Sequence, residues 1–404
     1  MTDFAVTSPA ELIRSRALPW SLRRCFSALL DLRYGALEVV LPDGRRTRFL
    51  GASEGPHARL VVRSYAFVRR LASGDVGFAE GYVAGEWTCD DLVALLSLLA
   101  ANQHLIDRFL SNPFVRAAQM ARHWLNRNSR AGSRRNIHAH YDLGDDFYKL
   151  WLDPSMTYSS GLNVGADLEA AQADKYAAIA RAADIGANHN VLEIGCGWGG
   201  FAEYAAREIG CRVTALTISQ SQFDYATPRI ADAGLSDRVS VALRDYRDER
   251  GDYDRIVSIE MFEAVGEAYW KGYFATLDAR LKAGGMAALQ VITIREDIFP
   301  RYRREMDFIR RYVFPGGMLP TPTHLRDLGE AAGFSVTHER GFGLDYAATC
   351  RAWRERFEAA WAEIGRLGFD ERFHMIWRYY LAYCEAGFAA GTIDVRHIAY
   401  RKAG

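Results

Sequence analysis

The sequence predicts an α/β protein with a doubly wound, largely parallel sheet, preceded by a small α+β unit. From about Asn190, short apolar strands alternate with helical stretches, which is typical of parallel strands joined by crossover helices. The first of these strands leads into a glycine-rich turn, at the place where open α/β sheets bind ligands. A chain of 404 residues is also long enough for two domains.

The predicted N-terminal α+β domain covers residues 1–110. Residues 37–41 and 48–50 flank a Pro-Asp-Gly turn, and this pattern predicts a β-hairpin. We expect a further strand over 58–68 and a helix over 90–101, where leucines recur at helical spacing.

A basic linker is predicted over residues 111–135. The stretch 111–136 contains six arginines and no acidic residue, with apolar residues interleaved. As an amphipathic helix it would dock on anionic lipid headgroups. As a solvated connection between domains it would need no partner. The sequence leaves both interpretations open.

The predicted catalytic domain covers residues 136–404 and supplies the main sheet. Seven segments are predicted strands: 191–194, 212–216, 239–243, 255–259, 286–292 and, as a pair of late edge strands, 335–339 and 394–400. The aromatic-rich region 345–390 between the last two is predicted to be helical.

The cofactor motif is the segment 193–200, with the sequence EIGCGWGG. Its glycines also satisfy the GxGxxG pattern of dinucleotide sites, which is weak alone. A nicotinamide site would want an acid at the end of the second strand, which ends at Thr217 instead. The acid here is Glu193, before Gly195 and Gly197, and Asp245 after the third strand suits an adenine amine. These residues favour S-adenosylmethionine over a nicotinamide.

Composition argues against several other classes. The formal net charge is zero, so no nucleic-acid partner is expected. The six cysteines form no CxxC pair and no zinc-ligand spacing, which favours a reduced cytoplasmic protein without a metal site. No signal peptide is recognisable, and no apolar run reaches the ~18 residues that a membrane span requires.

Further motifs narrow the reaction: HAHYDLGDDFY at 138–148, LDPSMTYSS at 152–160, IEMFEAVG at 259–266 and YVFPGGMLP at 312–320. Together with Trp353, Phe357 and the segment 379–388, they resemble the signature of cyclopropane-fatty-acyl-phospholipid synthases over about 136–404. The resemblance implies a class I methyltransferase fold, Rossmann-like with seven strands and a helical acyl-binding insertion. It also implies a phospholipid acyl chain as substrate, peripheral contact with an anionic membrane at the inner face of a bacterial cell, and often a homodimer.

The resemblance carries specific roles to this sequence. By the resemblance His140 lines the wall of the active site; the alternative is a buried hydrogen-bonding histidine. The cofactor contacts carry over to Tyr158, Ser159, Gly195, Gly197, Thr217, Gln222 and Tyr246, whose hydroxyls and rings suit an amino acid, a ribose and an adenine. The implied reaction transfers a methyl group to an alkene, after which a base removes a proton.

In the resembled family that base is a bicarbonate held by a cysteine, a glutamate, a histidine, an isoleucine backbone and a tyrosine. Glu263, Ile292 and Tyr346 match three of these positions. Ser160 stands in place of the cysteine and Gln290 in place of the histidine. Whether bicarbonate binds is therefore uncertain from sequence.

Glu260 is an additional acid where the resembled family usually has glycine. If a helical turn starts at the end of the fourth strand, Glu260 and Glu263 face the same side. Two close carboxylates cannot both ionise cheaply, so one pKa should rise. We hypothesise that Glu260 or Glu263 supplies the base and that the product is a methyl-branched or methylene chain. Alternatively, Glu260 caps a helix N-terminus, bicarbonate still binds and the product is a cyclopropane.

Two other function classes compete. A methyltransferase acting on a different small apolar substrate would share the glycine motif but would not need the lipid-family motifs. A nonenzymatic lipid-binding protein with a relict cofactor fold would be expected to have lost Glu193, Gly195 and Gly197.

Overall fold

The computed structural model describes residues 7–105, 143–165 and 167–404. These residues form two compact units. The first comprises the described residues of Met1–Arg122 with Arg304–Val313 and Phe369–Thr392. The second comprises those of His123–Arg303 with Phe314–Gly368 and Ile393–Gly404.

The first unit is built on a four-stranded sheet within the described residues, in the order β2-β1-β3-β4. Its strands are β1 (Tyr34–Val40), β2 (Arg46–Leu50), β3 (Ser53–Val62) and β4 (Trp87–Cys89). Its α-helices are Pro9–Arg14, Trp20–Leu29, Phe67–Arg70, Gly74–Val83, Leu92–Ala101, Phe308–Tyr312 and Glu371–Ala389. A 3-10 turn, Leu71–Ser73, joins two of them.

The second unit contains the large sheet, with β5 (Asn190–Ile194), β6 (Arg212–Thr217), β7 (Val239–Leu243), β8 (Tyr253–Ile259), β9 (Leu281–Ile294), β10 (Phe334–Gly341) and β11 (Ile393–Lys402). The strand order is β10-β11-β9-β8-β5-β6-β7. Strands β5 to β9 pair in parallel, whereas β11 pairs antiparallel with β9 and β10. The seven-stranded α/β fold expected from the sequence is thereby confirmed.

Helices flank and cross over this sheet. They are Asp145–Lys149, Leu168–Ala182, Gly200–Tyr204, Gln220–Asp232, Trp270–Arg280, Phe299–Tyr302, Pro322–Ala331, Gly343–Ala359 and Trp361–Arg366. Short turns of 3-10 helix cover Tyr246–Asp248, Phe262–Ala264 and Glu267–Tyr269, and a π-helical turn covers Ala205–Ile209. Among the described residues, no helix combines the length and apolar character needed to cross a bilayer.

The order in which the chain adds strands reverses between β5 and β8. The chain adds β6 and β7 on one side of β5 and then places β8 on the other side. Apart from Asn190, the residues of β5 are buried, as expected for a strand covered on both faces. Ligands bind such sheets beyond the carboxyl ends of the strands at this switch point. Glycine-rich and acidic segments follow β5 and β8 there.

Most predicted elements are present, with boundaries that differ by a few residues. The hairpin is confirmed, since β1 and β2 pair antiparallel. The predicted strand over 58–68 is wrong at its end, because β3 stops at Val62 and Phe67–Arg70 is helical. Apolar residues there continue across the boundary, so hydrophobicity alone did not separate the strand from the helix.

Candidate active site

The turn after β5 requires its glycines. Gly195, Gly197 and Gly199 have φ angles of +84°, +54° and +86°, a region that side chains with a Cβ rarely adopt. A Cβ at Gly195 would lie 2.7 Å from Met261 Cγ, whereas a Cβ at Gly197 would have no heavy atom within 4 Å. The backbone at Gly197 therefore borders open space, which allows a ligand to approach closely.

Glu193 lies immediately before this turn and is 2% exposed. Its Oε2 is buried and has no hydrogen-bond partner among the described residues. Burial raises the pKa of this carboxyl to about 8, although the charge of Lys175 opposes the rise. A buried oxygen without a partner suits a donor from a ligand, so Glu193 and the glycines fit the amino-acid and sugar parts of S-adenosylmethionine.

Two of the predicted cofactor-binding residues, Thr217 and Gln222, contact each other at the end of β6. The Thr217 hydroxyl donates to Gln222 Oε1 over 2.8 Å, and the Ser219 amide donates to Thr217 Oγ1 over 3.1 Å. Ser219 in turn caps the Gln220–Asp232 helix by accepting from the Gln222 amide. Both predicted side chains are thus fixed at the carboxyl edge of the sheet.

The predicted adenine contacts follow β7. The carboxylate of Asp245 is held by Arg247, whose Nε and Nη2 donate to its two oxygens over 2.8 and 2.5 Å. The Tyr246 ring packs edge-on against Tyr273 with centroids 5.3 Å apart. Burial raises the pKa of Tyr246 to about 12, so the phenol stays neutral. The Arg247 pairing was not anticipated from the sequence.

Tyr158 and Ser159 lie on the segment that precedes the Leu168–Ala182 helix. The Tyr158 ring packs against the rings of Tyr148, Trp151 and Trp353, with centroids 5.3–5.5 Å apart. Ser159 is 5% exposed and hydrogen-bonded from the following helix. Both predicted cofactor residues are therefore held in place within the second unit.

A second group of polar side chains surrounds Glu260, directly after β8. Glu260 Oε1 accepts from the Ser160 amide over 2.9 Å and from Gln290 Nε2 over 2.7 Å. Glu260 Oε2 accepts from the Tyr346 hydroxyl over 2.5 Å. Four residues predicted as catalytic are thus joined through one carboxylate.

Glu260 adopts an unusual backbone conformation to reach these donors. Its φ angle is +49°, which costs free energy for a residue other than glycine. Its amide donates to the Gln290 carbonyl over 2.8 Å, which holds this conformation. The 3-10 turn that follows has Met261 at its N-cap and no side-chain cap. The alternative that Glu260 caps a helix is therefore wrong.

Glu263 and Ile292, both predicted from the sequence to belong to the site, also contact each other. The Ile292 amide donates to Glu263 Oε1 over 2.5 Å, whereas the buried Oε2 has no hydrogen-bond partner among the described residues. Burial and the charge of Glu260 raise the pKa of Glu263 to about 8. Burial also raises the pKa of Glu260, but the bonds from Tyr346 and Ser160 oppose that rise. The two carboxylates are therefore chemically unequal.

Three polar side chains of the site were missed by the sequence reasoning. His397 is 1% exposed, and its Nε2 lies 2.8 Å from Gln290 Oε1, which orients the amide so that Nε2 faces Glu260. Burial lowers the pKa of His397 to about 3, so the ring is neutral. Lys175 and Gln172 are fully buried and both bind Ser159.

The sequence did contain a signal that Gln172 and Lys175 are buried. Gln172 and Lys175 occupy positions that alternate with Leu168, Ala171 and Ile179 at helical spacing, which places polar side chains on the buried face. His397 had no such signal, because its partner comes from a distant strand. His140 and the basic stretch 111–136 lie outside the described residues.

Comparison with known proteins finds a matching family and similar sequences. The family profile described as mycolic acid cyclopropane synthetase matches residues 128–398. The chain is 37% identical over 383 residues to tuberculostearic acid methyltransferase UfaA1 of Mycobacterium tuberculosis, covering 89% of this chain and 86% of that protein. It is 36% identical over 343 residues to the cyclopropane-fatty-acyl-phospholipid synthase of Escherichia coli K12, covering 83% and 85%.

Solved structures show the same relationship. The crystal structure of mycolic acid cyclopropane synthase CmaA1, in complex with SAH and CTAB, superposes with a TM-score of 0.63 at 29% identity. It covers 67% of this chain and 98% of that chain. The enzyme class and the cofactor predicted from the sequence are confirmed: this is an S-adenosylmethionine-dependent methyltransferase. The chain belongs to the mycolic acid cyclopropane synthetase family.

Proposed function

We propose that the protein methylates the carbon–carbon double bond of an unsaturated fatty acyl chain in a membrane phospholipid. The product is a methyl-branched or methylene chain rather than a cyclopropane. The relatives are named for tuberculostearic acid, fatty-acyl phospholipid and, in Emericella nidulans, a sphingolipid, so lipid chains recur among them. Such a substrate requires the enzyme to work at a membrane surface, and in this proposal that surface is the inner face of a bacterial membrane.

One observation supports the product assignment: the Glu260 carboxylate accepts from the Ser160 amide, Gln290 and Tyr346. By resemblance, Ser160, Gln290 and Tyr346 occupy positions that hold bicarbonate in the family. A carboxylate and a bicarbonate present similar planar oxygens to donors. Glu260 thus takes the place of that anion, and a free one is not needed.

Glu263 is the proposed proton acceptor. Both oxygens of Glu260 already accept hydrogen bonds, whereas Glu263 Oε2 is free among the described residues. A base should have a pKa near the working pH, and the pKa of Glu263 is about 8. Paired carboxylates with different surroundings commonly divide roles in this way.

The chemistry balances with these parts. Bound S-adenosylmethionine would supply an electrophilic methyl carbon, and the sulfur–methyl bond would break with its electron pair staying on sulfur. The π electrons of the alkene form the new carbon–carbon bond, which leaves a cation on the neighbouring carbon. Rings of Tyr158, Trp353 and Tyr346 lie side by side, and aromatic faces stabilise such a cation. Glu263 then accepts a proton, and the freed C–H pair forms the final double bond.

Isotope labelling tests the proposal. The protein is expressed in bacteria rich in unsaturated lipids and fed methionine with a trideuterated methyl group, and the fatty acids are analysed by mass spectrometry. A methylated alkene keeps three deuteriums, and a methylene chain keeps two. Both retain a carbon–carbon double bond and therefore take up hydrogen on catalytic hydrogenation. A product that keeps two deuteriums and resists hydrogenation is a cyclopropane, which contradicts the proposed product. Unlabelled acyl chains would contradict the substrate class. The same strain without the protein is the control.

A further inference from the structure

Lys175 is a buried cation without an ion pair. It lies in the Leu168–Ala182 helix, is 0% exposed, and donates from Nζ to Ser159 Oγ over 2.7 Å. Among the described residues this is the only recorded hydrogen bond of the ammonium, and no carboxylate oxygen lies within 4.0 Å. Burying an ammonium without an ion pair is costly, so the contact with Ser159 calls for a functional explanation.

The same helix binds Ser159 a second time. Gln172, one turn before Lys175 and also 0% exposed, donates from Nε2 to the Ser159 carbonyl over 2.9 Å. The next residue, Ser160, donates its amide to Glu260. Ser159 is therefore fixed through its hydroxyl, its own carbonyl and the neighbouring amide.

The Lys175 contact determines the direction of the serine hydroxyl. An ammonium has no lone pair, so Ser159 Oγ must accept from Lys175 and point its own proton elsewhere. No acceptor for that proton is recorded among the described residues. Ser159 is also a position that the family resemblance assigns to the cofactor. A donor with a cation behind it favours an anionic acceptor.

We propose that Lys175 is a positioning residue, which makes the Ser159 hydroxyl an obligatory donor to the carboxylate of the cofactor's amino-acid end. The carboxylate is the anionic group of S-adenosylmethionine, so it is the part that this arrangement recognises. The inference rests on cofactor binding at this site and is independent of which lipid is methylated.

The arrangement predicts a pH dependence. The charged and titratable groups that act on Lys175 or face it are Glu260, Asp153, Glu193, Tyr176 and His397. Burial lowers the pKa of Lys175 to about 7, against the attraction of the three carboxylates. A neutral amine has a lone pair and accepts from Ser159, which removes the donor from the ligand. Affinity for a carboxylate-bearing ligand should therefore fall as pH rises through about 7.

Calorimetry with two ligands tests this role. S-adenosylhomocysteine has the amino-acid carboxylate, and 5′-methylthioadenosine lacks the amino acid. We expect Lys175→Met to weaken S-adenosylhomocysteine about tenfold, the usual effect of a charge-assisted hydrogen bond, and methylthioadenosine less than about twofold. Lys271→Met, at an exposed lysine of the second unit, is the matched control and should change neither affinity.

Ser159→Ala should give the same ligand-selective loss, and adding Lys175→Met to it should cause no further selective loss. Equal loss for both ligands, or no loss, would overturn the proposal. If Lys175→Met does not fold, the wild-type ratio of the two affinities between pH 6 and 8 decides, and a constant ratio overturns it. The labelling experiment tests the lipid product with the unaltered protein, and calorimetry tests the role of Lys175 in ligand binding. Either proposal can therefore fail while the other stands.

Discussion

At the scale of single residues, two neighbouring carboxylates at the end of β8 have unequal surroundings. Glu260 accepts three hydrogen bonds, and Glu263 accepts one at Oε1 while its other oxygen is free among the described residues. Removing the charge of one must therefore alter the titration of the other.

Glu260→Gln should lower the pKa of Glu263, because one cause of its rise is the charge of Glu260. In the proposed mechanism activity requires the Glu263 carboxylate, so the rising limb of kcat/KM against pH should move from about pH 8 to lower pH. We also expect kcat/KM at its maximum to fall at least about tenfold, since an amide cannot accept at both positions.

The pH profile of kcat/KM checks this expectation, with exposed Glu363→Gln as the matched control. An unchanged limb together with undiminished activity would remove Glu260 and Glu263 from the proposed roles. The profile should be recorded in buffer freed of bicarbonate, where the wild type is expected to remain active.

The sequence predicted much of this site at the level of residues. Ser160, Gln290 and Tyr346 were singled out, and all three bind Glu260. The roles themselves stay predictions. What the sequence could not provide were pairings across distant strands, such as His397 with Gln290, because register between β9 and β11 depends on the folded sheet.

At the scale of elements, strands were easier to predict than close approaches between helices. Buried parallel strands produce short apolar runs that can be read from the chain. A glycine within a helix shows no reason for its presence until the neighbouring backbone is known. Gly77, in the Gly74–Val83 helix, is such a residue: a Cβ there would lie 1.7 Å from the Arg70 carbonyl oxygen.

Gly77→Ala should therefore destabilise the protein by about 2–3 kcal/mol, although alanine favours helices. Gly272, in the Trp270–Arg280 helix, has open space where a Cβ would lie. Gly272→Ala should be neutral or stabilise by up to about 1 kcal/mol. Urea unfolding of both variants measures the contrast, and equal stability of the two would show that Gly77 is not sterically required.

At the scale of the whole molecule, the chain returns to its first unit twice. Tyr383 and the Phe308 amide both donate to Asp75, over 3.2 and 3.0 Å, and Tyr312 donates to Glu80 over 2.5 Å. The predicted domain limits of 1–110 and 136–404 followed motifs along the chain. They could not include such contacts, because more than 200 residues separate the partners.

Buried acids should make the stability of the ligand-free protein depend on pH. The folded-state pKa values of Glu193 and Glu263 are about 8, above their ordinary value of 4.5, so the folded state binds these protons more tightly. The stabilising contribution of these two carboxyls to the free energy of unfolding is fully present below about pH 4.5 and is lost as pH rises through about 8. Two groups act oppositely: Lys175 between about pH 7 and its ordinary pKa of 10.5, and His397 between about pH 3 and its ordinary pKa of 6.5, where it offsets part of the effect of the two carboxyls.

The melting temperature should therefore fall by several degrees between about pH 5 and 7. Glu263→Gln should make this decline shallower, whereas Glu363→Gln should leave its slope unchanged. Differential scanning calorimetry of the three proteins measures the slopes, and identical slopes would mean that Glu263 titrates as it does in the unfolded chain.

The left-handed backbone at Glu260 has a genetic consequence. Glycine is the residue that this conformation favours, and glycine is usual here in the family that the sequence resembles. The codons GGA and GGG become GAA and GAG by one base change. A single mutation from glycine to glutamate at this left-handed position would thus provide a covalently attached carboxylate in place of a bicarbonate that has to diffuse in. Under the proposed mechanism, a cell containing this enzyme no longer links lipid methylation to its supply of dissolved carbon dioxide.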